Sequence, residues 1–349
     1  MEKNKKIGII GHFGGNTEVF DGQTIKTKIL YDELQKTGNL EIITVDTYYK
    51  KHNPVKLMRD TLKCLKSAQD IIILLSRNGM RLYFPLLFFY VKHFHTRIYH
   101  DVIGGNLDKY VKQYSGFKKY LNSFVVNWVE TNGLKKRLEM VGVDNCQVIP
   151  NFKRLPIVES MNMEFEEPYS FCTFSRVMKE KGIEAAIEAV EDINKKAGEI
   201  LCTLDIYGQI DDGYTEHFKN IMSMTSDAVS YKGVVAYDQS VSIIKNYYAL
   251  LFPTYWNGEG FPGTIVDAFS AGVPVIGTDW NCNGEIIEDG VNGILYPNDK
   301  IKDLEEAIEW LIENKNQMIG IKQNCVKASE KYQPDEYIEK IIRIIKHTR

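Results

Sequence analysis

The chain has 349 residues, of which 44% are hydrophobic and 26% charged, with a formal net charge of −3. That length suits two domains of ordinary size better than one, and the composition is that of a globular protein with apolar material for two cores. The slight acidic balance argues against a nucleic-acid partner, which would leave a basic excess.

Six cysteines, Cys64, Cys146, Cys172, Cys202, Cys282 and Cys325, are scattered without a C-x-x-C pair. They read as free thiols in a reducing compartment, not as a disulfide frame or zinc site. The opening MEKNKKIGIIGHFGG has an apolar run too short for a signal peptide, and no stretch of eighteen apolar residues follows. The expected location is the cytoplasm.

Taken in chain order, residues 6–10 form a β-branched strand, followed by Gly11, Gly14 and Gly15 and then a helix over 24–37. Further strands are expected at 40–45, 71–75, 97–102, 124–128 and 147–150. Residues 81–95, RLYFPLLFFYVKHFH, read as a core helix of the first sheet or as an amphipathic surface lying on a membrane; their short apolar length favours the core. The polar insert 104–119 reads as a mobile acceptor loop. After a polar linker at 159–168 the pattern restarts, with strands at 171–174, 201–207, 229–231, 249–252, 274–277 and 293–296. Helices are expected at 183–191, 264–271, 304–313 and 337–347. Apolar strands alternating with helices predict parallel sheets covered on both faces, so the chain reads as two α/β units in series.

Three segments carry candidate chemistry. The first is the loop Gly11-His12-Phe13-Gly14-Gly15. Glycines after a strand and before a helix let backbone N–H groups approach a phosphate, although the same glycines also serve a tight strand–helix turn. The spacing is neither G-x-G-x-x-G nor a P-loop, which weighs against a nicotinamide-dependent dehydrogenase. The second is Arg176 with Lys181, where a new strand ends and a helix opens. Two cations there can neutralise a diphosphate, or simply form a solvated basic turn. The third is Asn257 to Phe269, where Glu259 stands among glycines and Gly260, Phe261, Pro262, Gly263 and Thr264 lead into a helix containing Asp267. A carboxylate beside helix-start amides suits a nucleotide sugar. Few structural loops need so many glycines around one acid.

These residues resemble the signature of the family-four retaining glycosyltransferases, the glycosyl transferases group 1. The likeness runs through Glu259-Gly-Phe-Pro-Gly-Thr-Ile-Val-Asp267, Ala271-Gly-Val-Pro-Val-Ile-Gly277 and Gly284 to Gly293. It continues in Phe174-Ser-Arg176 with Lys181-Gly182, and in Val148-Ile-Pro-Asn151. Departures are Asp267 where the family has Glu, Ser175 where it has Gly, and Phe152 after Asn151. The resemblance implies a GT-B fold, α/β, with two Rossmann-like domains whose parallel sheets face a central cleft. Residues 1–158 would bind the acceptor and 159–335 the donor, while a helix over 336–349 would cross back to the first domain.

The resemblance further implies a retaining, metal-independent hexosyltransferase. It would take a nucleoside-diphosphate sugar as co-substrate, UDP favoured over GDP, and no other cofactor. The acceptor would be a saccharide or lipid-linked saccharide of bacterial surface-polysaccharide synthesis, with peripheral contact at the inner membrane face. Arg176 and Lys181 would hold the diphosphate, Glu259 the sugar and Asp267 the ribose. The base would stack near Tyr207, Gly208 and Val234, and Gly14 and Gly15 would abut the donor. His100 resembles the family's cleft histidine, and a packed histidine is the alternative. An epimerase of the same fold and a non-catalytic nucleotide-sugar-binding subunit are the rival readings.

Overall fold

The computed structural model describes residues 5–15, 21–156, 166–236, 238–297 and 301–348. Most of the expected linker at 159–168 lies outside the described residues. The chain forms two compact units. One comprises Met1–Lys153 with Pro334–Arg349, and the other Arg154–Gln333.

The first unit runs β1 (Lys5–Gly11), α1 (Gly22–Lys36), β2 (Leu40–Asp46), α2 (Tyr49–His52), α3 (Pro54–Ser67), β3 (Asp70–Ile73), α4 (Arg77–Phe94), β4 (Arg97–Asp101), α5 (Leu107–Gln113), α6 (Ser115–Leu121), β5 (Val126–Val129), α7 (Asn132–Met140) and β6 (Cys146–Val148). Its six strands are all parallel, in the order β2-β1-β3-β4-β5-β6. Alternate strand residues face opposite layers. Ile7, Ile9, Ile72 and Tyr99 pack with α1 residues Leu30 and Leu34 and with Ile338, Ile341 and Ile345 of the last helix. Ile10, Ile71, Ile73 and Ile98 pack with α3 to α7.

Helix α4 meets the sequence expectation on one stripe only. Met80, Tyr83, Phe84 and Leu87 are buried in the core, as favoured, while Leu82, Phe89 and Phe94 stand in solvent. The insert at 104–119 is not a loop: it holds α5 and most of α6, which bury Leu107, Val111, Phe117 and Leu121. Apolar residues hidden among lysines pin it to the sheet.

The second unit runs β7 (Tyr169–Phe174), α8 (Ile183–Ala197), β8 (Cys202–Tyr207), α9 (Thr215–Met222), β9 (Val229–Gly233), α10 (Ser240–Ile244), β10 (Ala249–Phe252), α11 (Gly263–Ser270), β11 (Val275–Thr278), α12 (Asn283–Ile286), β12 (Gly293–Tyr296), α13 (Ile301–Glu313) and α14 (Met318–Glu330). The last helix, α15 (Pro334–His347), belongs to the first unit. The second sheet is parallel in the order β12-β11-β10-β7-β8-β9. From β7 the chain winds one way to β9, then returns beside β7 and winds the other way. This is the doubly wound arrangement, whose strand order reverses between β7 and β10. All six cysteines are buried, and among the described residues none is joined in a disulfide. Among the described residues no helix is long and apolar enough to cross a membrane.

Candidate active site

In an open α/β sheet, ligands bind beyond the carboxyl ends of the strands where the order reverses. In the second unit that point lies just after Phe174 of β7 and Phe252 of β10. Two close backbone approaches build it. Gly208, at φ 136°, comes so near that a Cβ there would lie 1.7 Å from the Ser175 carbonyl oxygen. Gly182, at φ 71°, leaves no room for a Cβ beside the Pro253 carbonyl, 2.1 Å away. Only glycine takes such backbone without strain. The second contact holds the short 3-10 turn Lys179–Lys181 against the loop after β10. There the Glu180 carbonyl accepts from the Tyr255 amide at 2.9 Å.

Lys181 and Glu259 meet on this ledge. The Lys181 ammonium donates to Glu259 Oε2, each residue being 8% exposed. The hydroxyl of Thr254 also donates to Oε2, at 3.0 Å. A buried carboxylate needs such partners, since taking it out of water unpaired is costly. The Lys181 Nζ stands 4.9 Å from the centre of the Trp256 ring, and the Arg176 guanidinium 5.9 Å from the same ring. The backbone carbonyl of Trp256 is fixed by Trp280 Nε1 at 3.1 Å, Asn281 Nδ2 at 3.2 Å and the Glu259 amide at 3.1 Å. Gly258 is required here, because a Cβ would run into the Trp256 indole at 2.6 Å. Arg176 is half-exposed, and its nearest carboxylate is half-exposed Asp211, 3.5 Å away. Such a pair is weak in water and readily exchanged.

The glycine segment then turns into α11. Its opening amides have no acceptor within the helix, which makes this an electropositive end. Cys282 Sγ donates to the Gly260 carbonyl at 2.9 Å, Phe261 packs edge-on against Tyr332 at 5.2 Å, and Pro262 precedes Gly263 at the helix start. The Thr264 hydroxyl is buried without a partner among the described residues. Asp267 lies on the second turn, 7% exposed, and accepts from the Ser240 hydroxyl at 2.6 Å. On the other side of β7, Tyr207 stacks on Phe174 at 5.1 Å, and its hydroxyl meets that of Tyr247 at 2.7 Å. Tyr247 in turn donates to Asp205 at 2.6 Å; burial first, then that bond, pushes its phenol far up. The Gly208 amide donates to Gly233 at 2.9 Å, which brings half-exposed Val234 to the same edge.

In the first unit the expected residues sit differently. Gly14 and Gly15 have φ 86° and 60°, the left-handed backbone that glycine permits. Yet the amides of Phe13 and Gly15 donate to the Asp46 carboxylate at 2.9 and 2.8 Å, with Tyr48's amide joining at 2.9 Å. An internal carboxylate at the end of β2 thus occupies the Gly15 N–H that the sequence offered to a phosphate. Gly11 serves packing, since a Cβ there would lie 2.6 Å from Thr27. His100 is wholly buried on β4, edge-on to Phe84 at 5.4 Å, with Nδ1 3.0 Å from Asn127 Oδ1. Burial, aided by nearby Lys26, lowers its pKa to about 4 and keeps it neutral. Its surroundings are those of the packed alternative, although Nε2 lacks a partner among the described residues. Thr254, Trp256 and Ser240 escaped the sequence reading. An aromatic residue between the strand end and Glu259 was the available signal.

The family model of the glycosyl transferases group 1 matches residues 160–332. The second half of the chain is therefore similar to the group 1 glycosyltransferases. The GtfA subunit of the UDP-N-acetylglucosamine–peptide N-acetylglucosaminyltransferase of Streptococcus pneumoniae is 30% identical over 183 residues, 50% of this chain and 35% of that protein. The curated relatives are matched over between 24% and 60% of their own lengths. Sucrose-phosphate synthase from Thermosynechococcus elongatus superposes with a TM-score of 0.77 at 14% identity, over 98% of both chains. HepE of Anabaena, solved with UDP and glucose, gives 0.73 at 14% identity over 99% of this chain and 100% of that one. The two parallel sheets of the chain are thus those of the GT-B fold.

Proposed function

We propose that the chain transfers a hexose-type sugar from a UDP-sugar to a saccharide or lipid-linked saccharide acceptor, retaining the anomeric configuration and needing no metal. The observation that carries this reading is the buried Lys181–Glu259 pair at the reversal point of the second sheet, with Arg176 beside it. Departure of the diphosphate breaks the bond at the anomeric carbon and leaves the electron pair on phosphate. Lys181, Arg176 and the first amides of α11 supply preorganised positive charge for that oxygen, the kind of stabilisation that often dominates catalysis. Glu259, held through one oxygen, receives sugar hydroxyls rather than attacking carbon. Asp267 addresses the ribose, with Ser240 fixing its orientation. Tyr207, Gly208 and Val234 border the base. UDP is favoured because the pneumococcal relative is named for a UDP-sugar and HepE was solved with UDP.

The test is thermal unfolding with UDP, GDP, ADP and NAD, each with magnesium and with EDTA. A nucleotide at a hundred times its Kd stabilises by ~2.7 kcal/mol. Stabilisation by UDP in EDTA supports the reading. Stabilisation by NAD alone refutes it, and a response to UDP only with magnesium removes the metal-independent part. The anomeric configuration of the product, read by proton NMR, decides retention.

A further inference from the structure

At the carboxyl edge of the first sheet, the polar groups largely serve one another. Lys26 of α1 donates to Glu130 at 2.8 Å and to the Val102 carbonyl at 3.0 Å, and it lies 2.7 Å from Asp101. One cation thus holds both acids at the ends of β4 and β5. Gln23 donates to the Leu74 carbonyl after β3 at 3.1 Å. Asp46, at the end of β2, holds the amides of Phe13 and Gly15. His12 stands apart from these, in the loop after β1 where the strand order reverses. It is half-buried, and among the described residues its Nε2 makes no hydrogen bond.

The other ring nitrogen is fixed. His12 Nδ1 lies 2.6 Å from the Thr24 hydroxyl oxygen, and that hydroxyl lies 2.7 Å from Asp21 Oδ2. A carboxylate only accepts, and a hydroxyl has one proton to give. Thr24 therefore donates to Asp21, and its oxygen accepts from the His12 Nδ1–H. In a neutral imidazole this leaves the basic lone pair on Nε2. The chain is held at each step. Asp21 also takes the Thr24 amide at 3.0 Å as the cap of α1, and Thr24 is fully buried. The Tyr48 ring stands edge-on to His12 at 6.0 Å and stacks on His52 at 4.1 Å. Gly15 makes room for that ring, since a Cβ there would lie 2.5 Å from it. A helix cap explains Asp21 and Thr24, but it gives no reason for a histidine at the end of their chain.

We infer that His12 is the general base for the acceptor hydroxyl, with Thr24 and Asp21 as the residues that position it. This rests on the sugar transfer proposed above, though not on its stereochemistry. As the acceptor oxygen bonds to the anomeric carbon, its proton passes to His12 Nε2. The bond from that carbon to the diphosphate oxygen breaks, and its electron pair stays on phosphate. His12 then gives the proton to water. A base oriented through its far nitrogen by a further group is the arrangement that activates a hydroxyl. Among the described residues, the titratable groups facing His12 are Asp21 behind Thr24, Tyr48 with His52 beyond it, and Asp46 on the loop amides.

The test begins with nitrogen NMR of the histidine-labelled chain, the His12 signal being assigned by its loss in His12→Gln. The Nδ1–H tautomer is expected in the wild type and in Thr24→Ser, and a mixture in Thr24→Val. The Nε2–H tautomer in the wild type overturns the inference whatever UDP does. The second measurement is UDP release across pH from UDP-glucose, UDP-galactose and UDP-N-acetylglucosamine, with water as acceptor. His12→Gln should lose ~100-fold or more in rate, together with the acid limb of the profile. Thr24→Val should lose part of both, and Thr24→Ser should rescue that loss. UDP should raise the Tm of each variant as it does that of the wild type. An unchanged rate and acid limb in His12→Gln overturn the inference, as does a wild type that releases UDP from none of the three donors. A wild type that UDP does not stabilise removes the transfer itself, and the base with it.

Discussion

Replacing Lys181 with Met separates the pairing at the candidate site from a surface coincidence. In the wild type, Glu259 Oε2 takes hydrogen bonds from the Lys181 ammonium and the Thr254 hydroxyl in a setting that is 8% exposed. Removing the cation leaves a nearly buried carboxylate with one neutral donor. Breaking a buried pair in this way costs about 3–5 kcal/mol, and the remaining Thr254 bond argues for the lower end. For a domain of this size, about 3 kcal/mol corresponds to a Tm drop of roughly 6–12 °C. The double variant Lys181→Met/Glu259→Gln removes both charges at nearly constant volume and should regain most of that loss. It should not regain UDP binding or turnover, since those draw on the charges themselves. Calorimetry of wild type, both singles and the double yields the coupling energy. If Lys181→Met costs less than ~1 kcal/mol, or the double variant is no more stable than the single, the pair does not hold this ledge together and the reasoning fails.

The remaining predictions concern other parts of the fold. His100 is neutral in the folded chain with a pKa of about 4, while the unfolded chain binds a proton near its ordinary value of about 6.5. Stability from this group is therefore complete above pH 6.5 and falls as pH drops toward 4, by roughly 3 kcal/mol at most; His100→Gln should flatten denaturant-measured stability across that window, and an unchanged pH slope would contradict the burial. Gly208→Ala combines a positive φ with a 1.7 Å clash, whereas Gly198→Ala at φ 76° has nothing within 4 Å. Thermal unfolding should show the first losing several-fold more stability than the ~1 kcal/mol expected of the second, and equal losses would discount the close approach. Ser240→Ala withdraws a hydrogen bond from buried Asp267 and should cost ~1.5–3 kcal/mol by urea denaturation; a neutral result would mean that Asp267 does not depend on it.

Much of this architecture is written locally. Runs such as Ile7–Ile10 and Leu250–Phe252 are β-branched or apolar throughout because their sheets are covered on both faces, and they locate the strands to within a residue or two. Helix α3 was legible but passed over: Asn53 caps Lys56's amide, Pro54 opens the helix, and Leu57, Thr61, Cys64 and Leu65 follow at helical spacing. The glycine-flanked Glu259 and the cations Arg176 and Lys181 were legible as separate motifs. Their meeting was not. Lys181 and Glu259 are 78 positions apart, and only the return of β10 to the side of β7 makes them neighbours. Asp46 was illegible for the same reason, since its partners Phe13 and Gly15 lie more than thirty positions away.

The two units use the same glycine-after-strand grammar for opposite electrostatic ends. In the first sheet the order reverses between β1 and β3, and the loop after β1 would be the natural anion seat. There Asp46 supplies the anion from within, bound by the amides of Phe13, Gly15 and Tyr48. An external phosphate would have to displace a carboxylate held by three amides and also meet its negative charge. In the second sheet the comparable position offers Arg176, whose own carboxylate partner is half-exposed at 3.5 Å and contributes ~0–1 kcal/mol. A diphosphate bound there, as proposed, would exchange a weak solvated pair for bidentate, charge-assisted hydrogen bonds about twice as strong as neutral ones. On the proposed function, it is what each glycine loop already holds, rather than the loops themselves, that favours the second unit as the seat of the diphosphate.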